Sequence, residues 1–302
     1  MKTMISWNTL SMKPFGYNGC LAGRFYYLMK AKSSALYLLY FWLIIFGFIP
    51  LLMVLVASFL SQDSIHLVTL PLTLENYFDL FTPVFAKILF RSLLIACVTT
   101  LLCLLIAYPF SYLMIKSKHQ SILLLLIIIP FWTSSLIRTY ALIAILKYKG
   151  VINALLLKLH LIDVPLSLLY TNFAVVIGLV YNLFPFMVLP IFTNMERFDF
   201  RLIEAAKDLG ANKWSIFTRV FLPNTAPGVL SGCLLVLLPA MTLFYIPNVL
   251  GGARSILLGN LIQNQFLVLS DWPQGAATSV LLTSVLLILM FIFRRQNNEV
   301  IR

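Results

Sequence analysis

Charged residues are scarce in this chain. They make up 11% of its 302 residues, whereas about a quarter is usual in soluble globular domains. Acidic residues are the scarcest, with 10 Asp and Glu against 22 Lys and Arg, while 61% of the chain is hydrophobic. This composition excludes an ordinary soluble globular protein and favours several membrane spans of about 20 residues each.

Motifs for catalysis or metal binding are lacking as well. The chain has no glycine-rich phosphate-binding loop, no Ser/His/Asp set and no metal-ligand spacing. The cysteines fit neither a disulfide framework nor a metal site, and most fall in apolar runs, which predicts buried free thiols. They are Cys20, Cys97, Cys103 and Cys233. The sequence therefore predicts a chain that is not an enzyme and holds no cofactor or metal of its own.

The net charge of +12 does not indicate a nucleic-acid-binding protein. The basic residues lie in short loops between apolar runs, and they form no basic face and match no RNA- or DNA-binding signature. Cationic cytoplasmic loops of a membrane protein explain them better.

Six uncharged or nearly uncharged runs predict six membrane-spanning helices. They cover residues 35–59, 92–115, 121–146, 171–195, part of 220–253, and 272–293. The first run is too long for the core of a signal peptide and predicts a retained span. Residues 151–169 are too short and mixed to span, and they predict an interfacial helix followed by extended chain. The predicted fold is therefore an all-α polytopic membrane protein.

The domain organisation follows from these runs. We expect an N-terminal tail at 1–34, a six-helix domain at 35–293 containing a polar loop at 196–224, and a C-terminal tail at 294–302. If the N-terminus is cytoplasmic, most Lys and Arg residues fall on the cytoplasmic side, as the positive-inside rule requires. Both termini and the polar loop are then predicted to be cytoplasmic.

The polar loop has the pattern of two helices joined by a glycine corner. Asp199 can cap a helix over 200–209, and Gly210 can end it in the left-handed conformation. Asn212 can cap a second helix over 213–222, which Pro223 is expected to stop.

The first helix of this loop carries an apolar stripe, formed by Leu202, Ala205, Ala206 and Leu209 at helical spacing. Glu204 and Asp208 share a neighbouring face. An exposed stripe of this kind predicts a docking surface for a partner protein. The alternative is a loop that packs on its own spans.

The spacing within the loop resembles a known motif. Glu204-Ala205-Ala206, three residues, Gly210, nine residues, Val220, one residue and Leu222-Pro223 is similar to the "EAA" loop of bacterial ABC importer permeases. The resemblance implies the type I (MetI-like) permease fold in a bacterial inner membrane. It also implies that Glu204, Ala205, Ala206 and Gly210 couple the spans to a partner ATPase, which would bind ATP and Mg.

Other stretches resemble the permeases of polyamine (spermidine/putrescine) importers over about residues 36–293. They are 130–138, 178–187, 238–241, 251–254 with Gly259-Asn260, and 271–273 with 275–277. This resemblance implies a second permease subunit, two ATPase copies and an extracytoplasmic substrate-binding protein.

One position departs from the polyamine pattern, because Asn248 stands where those permeases tend to carry an acid before Gly251-Gly252. The predicted spans also contain no Asp or Glu, although carboxylates, aromatic faces and carbonyls would suit a cationic cargo. Either a partner supplies the acids, or the cargo is another small solute such as an amino acid, iron or an oxyanion.

Eight residues are candidates for the substrate path. They are Trp132, Arg138, Tyr181, Asn182, Tyr245, Asn248, Asp271 and Trp272. Arg138 is the only charge inside a predicted span, so it either faces a cavity or partner, or anchors at the outer interface. For Trp272 and the tyrosines the alternative is an interfacial aromatic belt.

Two other classes of protein fit less well. A secondary transporter would predict an inverted repeat or intramembrane acids, and neither occurs in the sequence. A membrane scaffold, in contact with lipid only, would not explain the loop around Glu204.

Overall fold

The computed structural model describes residues 36–62, 69–252 and 256–300, with the backbone alone at 69–71 and 293–300. The predicted tail at 1–34, Arg254 and the last two residues lie outside this description. The chain forms two units, Met1–Val54 and Leu55–Arg302.

In the first unit, the described residues 36–54 are helical and their side chains are mostly exposed. They belong to helix α1 (Leu36–Ala57), which contains a π-helical turn at Ile44–Phe48. The amide of Ile49 donates to the carbonyl of Ile44, so the chain has shifted to the wider turn just before Pro50. This shift accommodates a proline that cannot donate the usual helical bond.

The second unit is mostly helical. A short antiparallel pair, β1 (Leu60–Ser61) and β2 (Thr69–Leu72), is followed by α2 (Glu75–Asp79), α3 (Pro83–Lys116), α4 (Gln120–Trp132), α5 (Ser135–Leu146), α6 (Val151–Lys158), α7 (Asn172–Glu196), α8 (Arg201–Asp208), α9 (Lys213–Thr242), α10 (Leu258–Leu267) and α11 (Trp272–Val300). Between α9 and α10 lies a π-helical turn, Pro247–Gly251.

The prediction of six spans is confirmed for the described residues. The segments long and apolar enough to cross a membrane are Leu36–Ala57, Pro83–Lys116, Ser135–Lys158, Asn172–Glu196, Lys213–Thr242 and Trp272–Ile292. The second starts earlier than predicted because Pro83 suits the first helical turn and Thr82 caps it, accepting from the Phe85 amide at 3.4 Å. The last helix continues to Val300, beyond its predicted end at 293.

The third predicted span, 121–146, is not one continuous helix. It divides into α4 and α5, of 13 and 12 residues, and each is too short to cross a bilayer core of about 30 Å. Thr133 ends α4 by donating through its hydroxyl to the Pro130 carbonyl at 2.6 Å. The segment Ser135–Lys158 is itself interrupted, because the Gly150 amide turns back to the Lys147 carbonyl at 2.7 Å. We therefore take α4 and α5 in succession as the third crossing.

Residues 151–169 have the predicted order of a short helix, α6, followed by irregular chain. The polar side chain of Asn153 is turned into the protein and is only 1% exposed. Its side chain clamps the irregular segment by exchanging two hydrogen bonds with the backbone of Leu166, at 2.8 and 3.0 Å.

The core lies where α3, α7 and α9 pack together. Close approach of these helices uses small residues, as is typical in membranes. Gly228 and Gly232 of α9 face α7, and a Cβ at Gly228 would lie 2.9 Å from the Pro190 carbonyl oxygen. The polar loop after α7 and the end of α3 are thereby held on the same side of this core.

Candidate functional site

Helix α8 forms the first half of the polar loop, and its boundaries follow from local hydrogen bonds. Asp199 lies two residues before it and accepts from the Arg201 amide at 3.0 Å, so it supports the start of the helix without being its cap residue. At the other end Gly210 has φ +78°, and the Ala211 amide bonds the Ala206 carbonyl at 3.0 Å. The glycine corner is present as predicted.

The second half of the loop starts as predicted and ends differently. Asn212 accepts from the Ser215 amide at 2.7 Å and caps the helix. Pro223 does not stop it, because a π-helical turn at Phe217–Phe221 precedes the proline and the Leu222 amide bonds the Phe217 carbonyl. The helix continues as α9 to Thr242, so the loop is joined directly to a core span.

Helix α8 has two apolar faces with different surroundings. Ile203 is partly buried and packs against the core of its own chain, as does the preceding Phe198. The predicted stripe points elsewhere: Leu202 is 47% exposed and Leu209 88% exposed. Ala205, Glu204 and Asp208 are exposed too, and only Ala206 is half-buried. The loop therefore packs on its spans through one face and leaves a second apolar face exposed.

A groove of about 730 Å³ lies between α8, the end of α3 and the start of α9. Aromatic rings dominate its wall, and Tyr108 of α3 meets Phe217 and Phe221 edge-on at 6.2 and 6.3 Å. Three lysines and one carboxylate also line it: Lys116, Lys207, Lys213 and Glu204. Sequence analysis missed this groove, because its members come from three segments that only the fold brings together.

Arg138 and Tyr181, two of the predicted path residues, come together between α5 and α7. The guanidinium carbon of Arg138 lies 5.9 Å from the Tyr181 ring centre and 5.6 Å from that of Phe131. Arg138 is only 8% exposed, so it does not reach outward as an interfacial anchor would. Trp132, next to Phe131, is 82% exposed and Tyr181 is 45% exposed.

Asn182 follows Tyr181 but is 4% exposed. Its amide nitrogen donates to the Gly178 carbonyl at 2.9 Å, one turn back in α7, and its side-chain oxygen has no hydrogen-bond partner among the described residues.

Asn248 lies in the π-helical turn between α9 and α10 and belongs to a network of side-chain amides. Its side-chain nitrogen donates to Gln263 at 2.6 Å, and its oxygen accepts from the Asn260 amide. Asn260, only 2% exposed, also donates to the Phe244 carbonyl at 2.9 Å and accepts from the Leu257 amide at 3.2 Å. Asn260 was named only within a stretch that resembles polyamine permeases, and Gln263 was not predicted, since a single Gln in a polar loop gives no sequence signal.

Tyr245 lies beside this network, half-buried and edge-on to Phe244 at 6.4 Å. Asp271 and Trp272 stand apart at the start of α11. Asp271 accepts from the Gln274 amide at 3.1 Å, as a helix cap does, and Trp272 packs edge-on against Phe266 at 5.9 Å.

A core of membrane spans in which a helix–glycine–helix loop continues directly into one span, α9, is the arrangement of the permease class of ABC importers. The chain belongs to the family of binding-protein-dependent transport system inner membrane components, whose pattern matches residues 100–301. It is thus an inner-membrane component, with six membrane-spanning helices among the residues that the structure describes.

Individual relatives are similar over most of the chain. The spermidine/putrescine transport system permease protein PotB of Haemophilus influenzae is 45% identical over 270 residues, which is 89% of this chain and 94% of that protein. PotB of Escherichia coli K12 is 47% identical over 256 residues, 84% of this chain and 93% of that protein. The E. coli inner membrane ABC transporter permease protein YdcU is 28% identical over 275 residues, 85% and 86% of the two chains.

Solved structures agree on the fold. A chain of a bacterial ABC transporter involved in the import of the acidic polysaccharide alginate superposes with a TM-score of 0.73 at 15% identity, covering 92% of this chain and all of that one. A second structure, of the alginate transporter with its pentasaccharide-bound periplasmic protein, has a TM-score of 0.72 at 14% identity and covers 89% and 94%.

Proposed function

We propose that this chain is the permease subunit of an ABC importer for polyamines of the spermidine/putrescine type. The cargo is inferred from the two PotB relatives, which are 45% and 47% identical over most of their length. The observation that supports coupling to an ATPase is the exposed apolar face of α8 with Glu204 beside it. A second permease subunit would complete the translocation path.

The loop around α8 is the proposed docking site for the ATPase. That subunit, and not this chain, would bind ATP and Mg. Leu202, Ala205 and Leu209 would enter an apolar cleft of that subunit, and Glu204 and Asp208 would pair with its basic groups. Two ATPase copies would serve the two permeases. Because α9 continues from the loop into the core, a movement of the docked loop would reach the spans through a single helix.

This assignment requires the loop and both termini to be cytoplasmic, as the distribution of Lys and Arg favours. An extracytoplasmic binding protein would then deliver substrate at the opposite side. Support for such a partner is the family's description and the periplasmic protein in the alginate transporter structure.

A second candidate cargo has one specific observation in its favour. The position before Gly251-Gly252 holds the neutral Asn248, which is paired with the neutral Gln263. A multivalent cation would gain more from a carboxylate there, so another small solute such as an amino acid, iron or an oxyanion remains the alternative. A secondary transporter is less favoured, because nothing in its mechanism needs an exposed α8 face.

The test is ATP-dependent uptake of radiolabelled spermidine in vesicles that carry all subunits. We expect uptake by the wild type and loss of most of it in Glu204→Lys, which reverses the charge beside the docking face. Glu196→Lys is the matched control, because Glu196 is equally exposed but lies at the end of α7.

Two results would contradict the proposal separately. Normal uptake in Glu204→Lys with normal ATPase binding would remove the coupling role. Competition by amino acids or oxyanions, but not by putrescine, would leave the coupling role in place and reassign the cargo.

A further inference from the structure

Arg138 is buried without a polar partner. It is 8% exposed, and its Nε has no hydrogen-bond acceptor among the described residues. Its neighbours are the ring faces of Phe131 and Tyr181, within 6 Å of the guanidinium. Ring faces attract a cation but leave its N–H donors unbonded, and a buried charge without hydrogen bonds is strongly unfavourable. Because the buried Nε is closed to outside groups, an acceptor from outside the described chain would have to bond the terminal nitrogens of the guanidinium.

The start of α5 has the same need. This 12-residue helix begins at Ser135, and the side chain of its cap residue Ser134 makes no capping hydrogen bond. The first intrahelical bond is that of the Arg138 amide to the Ser134 carbonyl at 3.2 Å. The amides before it point out of the helix end, where the helix dipole is positive. Arg138 adds a full positive charge at the same end, against the usual preference for acids there.

The side chain of Arg138 is aimed at this helix end. Side chains on a helix lean toward its N-terminus, and the contact with Phe131 places the guanidinium beside the last residues of α4. The uncapped amides and Arg138 thus belong to the same first turn of α5. Both are hydrogen-bond donors, and an anion at this helix end would accept from both.

The anion is not available within the spans of this chain, where no Asp or Glu occurs in 121–146 or 171–195. The surface around the site is apolar and exposed, with Trp132 at 82%, Ile137 at 67% and Leu136 at 48%. An apolar rim around a strong donor site is the arrangement of a protein interface with one central charged pair.

We propose that the start of α5 and Arg138 form the docking site for a carboxylate side chain of the second permease subunit. The carboxylate would accept from the guanidinium and from the free amides of α5, and the apolar rim would exclude lipid and water from the pair. This inference rests on the proposed function, since it needs a second membrane subunit. It also explains how a cation importer can hold a buried arginine: once paired, Arg138 presents no net positive charge to a passing cation.

The test uses Arg138→Met in the full complex, with an affinity tag on this chain and co-purification of the second permease as the measurement. Removing one member of a buried charge pair is costly, so we expect the co-purified subunit to fall by roughly tenfold or more. In the isolated full-length chain the same change removes an unpaired buried charge, so its thermal midpoint is expected to stay the same or rise. A loss of co-purification without a loss of thermal stability would show that the change affects docking and not folding.

Arg91→Met is the matched control. Arg91 is bonded to Asn172 of its own chain at 2.7 Å and is expected to leave co-purification unchanged. The positive arm is a charge swap: Arg138→Glu is combined in turn with each intramembrane Asp or Glu of the second permease changed to Arg. If one combination restores co-purification of the second permease and the others do not, that combination identifies the partner carboxylate.

Three outcomes overturn the inference. Full co-purification of Arg138→Met with altered uptake would place Arg138 on the wall of the path. A wild-type complex that needs anionic lipid, with an Arg138→Met complex that does not, would assign the site to a lipid phosphate. Failure of the wild-type chain to bind any second permease would overturn the proposed function as well.

Discussion

Gly210 is the residue on which the shape of the polar loop around α8 depends. Its φ of +78° is left-handed, and a Cβ there would meet no atom within 4 Å. Any effect of substitution must therefore come from the backbone conformation. Holding a β-branched residue in this left-handed region costs about 1–2 kcal/mol. Asn tolerates the conformation much better.

We accordingly expect Gly210→Val to reduce ATP-dependent uptake severely, because the end of α8 and the exposed Leu209 must move relative to Asn212. Gly210→Asn is expected to keep most of the uptake. Both variants should be compared at equal levels of assembled complex. Equal uptake by the two variants would show that the corner does not set the docking geometry.

At this scale the sequence predicted conformations better than contacts. The cap at Asn212 and the turn at Gly210 could be foreseen, because each depends on a side chain and the adjacent backbone. The burial of Arg138 between two rings could not, since it depends on residues from α4 and α7. The role of Asn260 depends in the same way on a carbonyl 16 positions earlier in the chain.

At the scale of helices, prolines did not act as the sequence rules predict. Pro223 was expected to end a helix, and instead the helix widens to a π turn before it and continues. The same turn precedes Pro50 in α1. In a membrane, ending a helix leaves carbonyls without partners, whereas a π turn loses fewer bonds. Proline is therefore a weaker stop signal in an apolar run than in a soluble loop.

The packing of α9 on α7 gives a test at this scale. A Cβ at Gly228 would approach the Pro190 backbone oxygen to 2.9 Å, and one at Gly232 would approach the Met187 sulfur to 2.8 Å. A backbone atom cannot move aside as a methionine side chain can. We expect Gly228→Val to destabilise the chain by about 1–3 kcal/mol through overpacking, and Gly232→Ala to cost less.

The measurement is the thermal midpoint of the detergent-solubilised chain. Ser231→Val is the control, because Ser231 is on the same helix, is exposed, and bonds only to the Pro227 carbonyl one turn back. A Gly228→Val midpoint equal to that of the control would mean that α7 and α9 are not closely packed in the folded protein.

For the whole molecule, the number of spans could be predicted because a bilayer selects apolar runs of a given length. The interruptions within spans could not, since apolar residues predominate in 121–146 on both sides of Thr133–Ser134. The break there leaves amides at the start of α5 without acceptors. A prediction based on hydropathy alone treats the whole segment as an ordinary span. Such interruptions are where a transport protein departs from a simple bundle, and they coincide here with Arg138.

The orientation of the whole chain remains a prediction, and it can be tested with two exposed positions separated by one crossing. Asp163 lies after α6 and Lys207 lies in α8, with only α7 between them as a candidate span. If α7 crosses and the α8 loop is cytoplasmic, Asp163→Cys faces the exterior and Lys207→Cys the cytoplasm. In a background with Cys20, Cys97, Cys103 and Cys233 changed to Ala, a membrane-impermeant maleimide should label only Asp163→Cys in spheroplasts. Permeabilised cells should label both, which controls for accessibility. Labelling of Lys207→Cys alone would invert the topology and place the α8 face where no ATPase could reach it, and labelling of both would show that α7 does not cross.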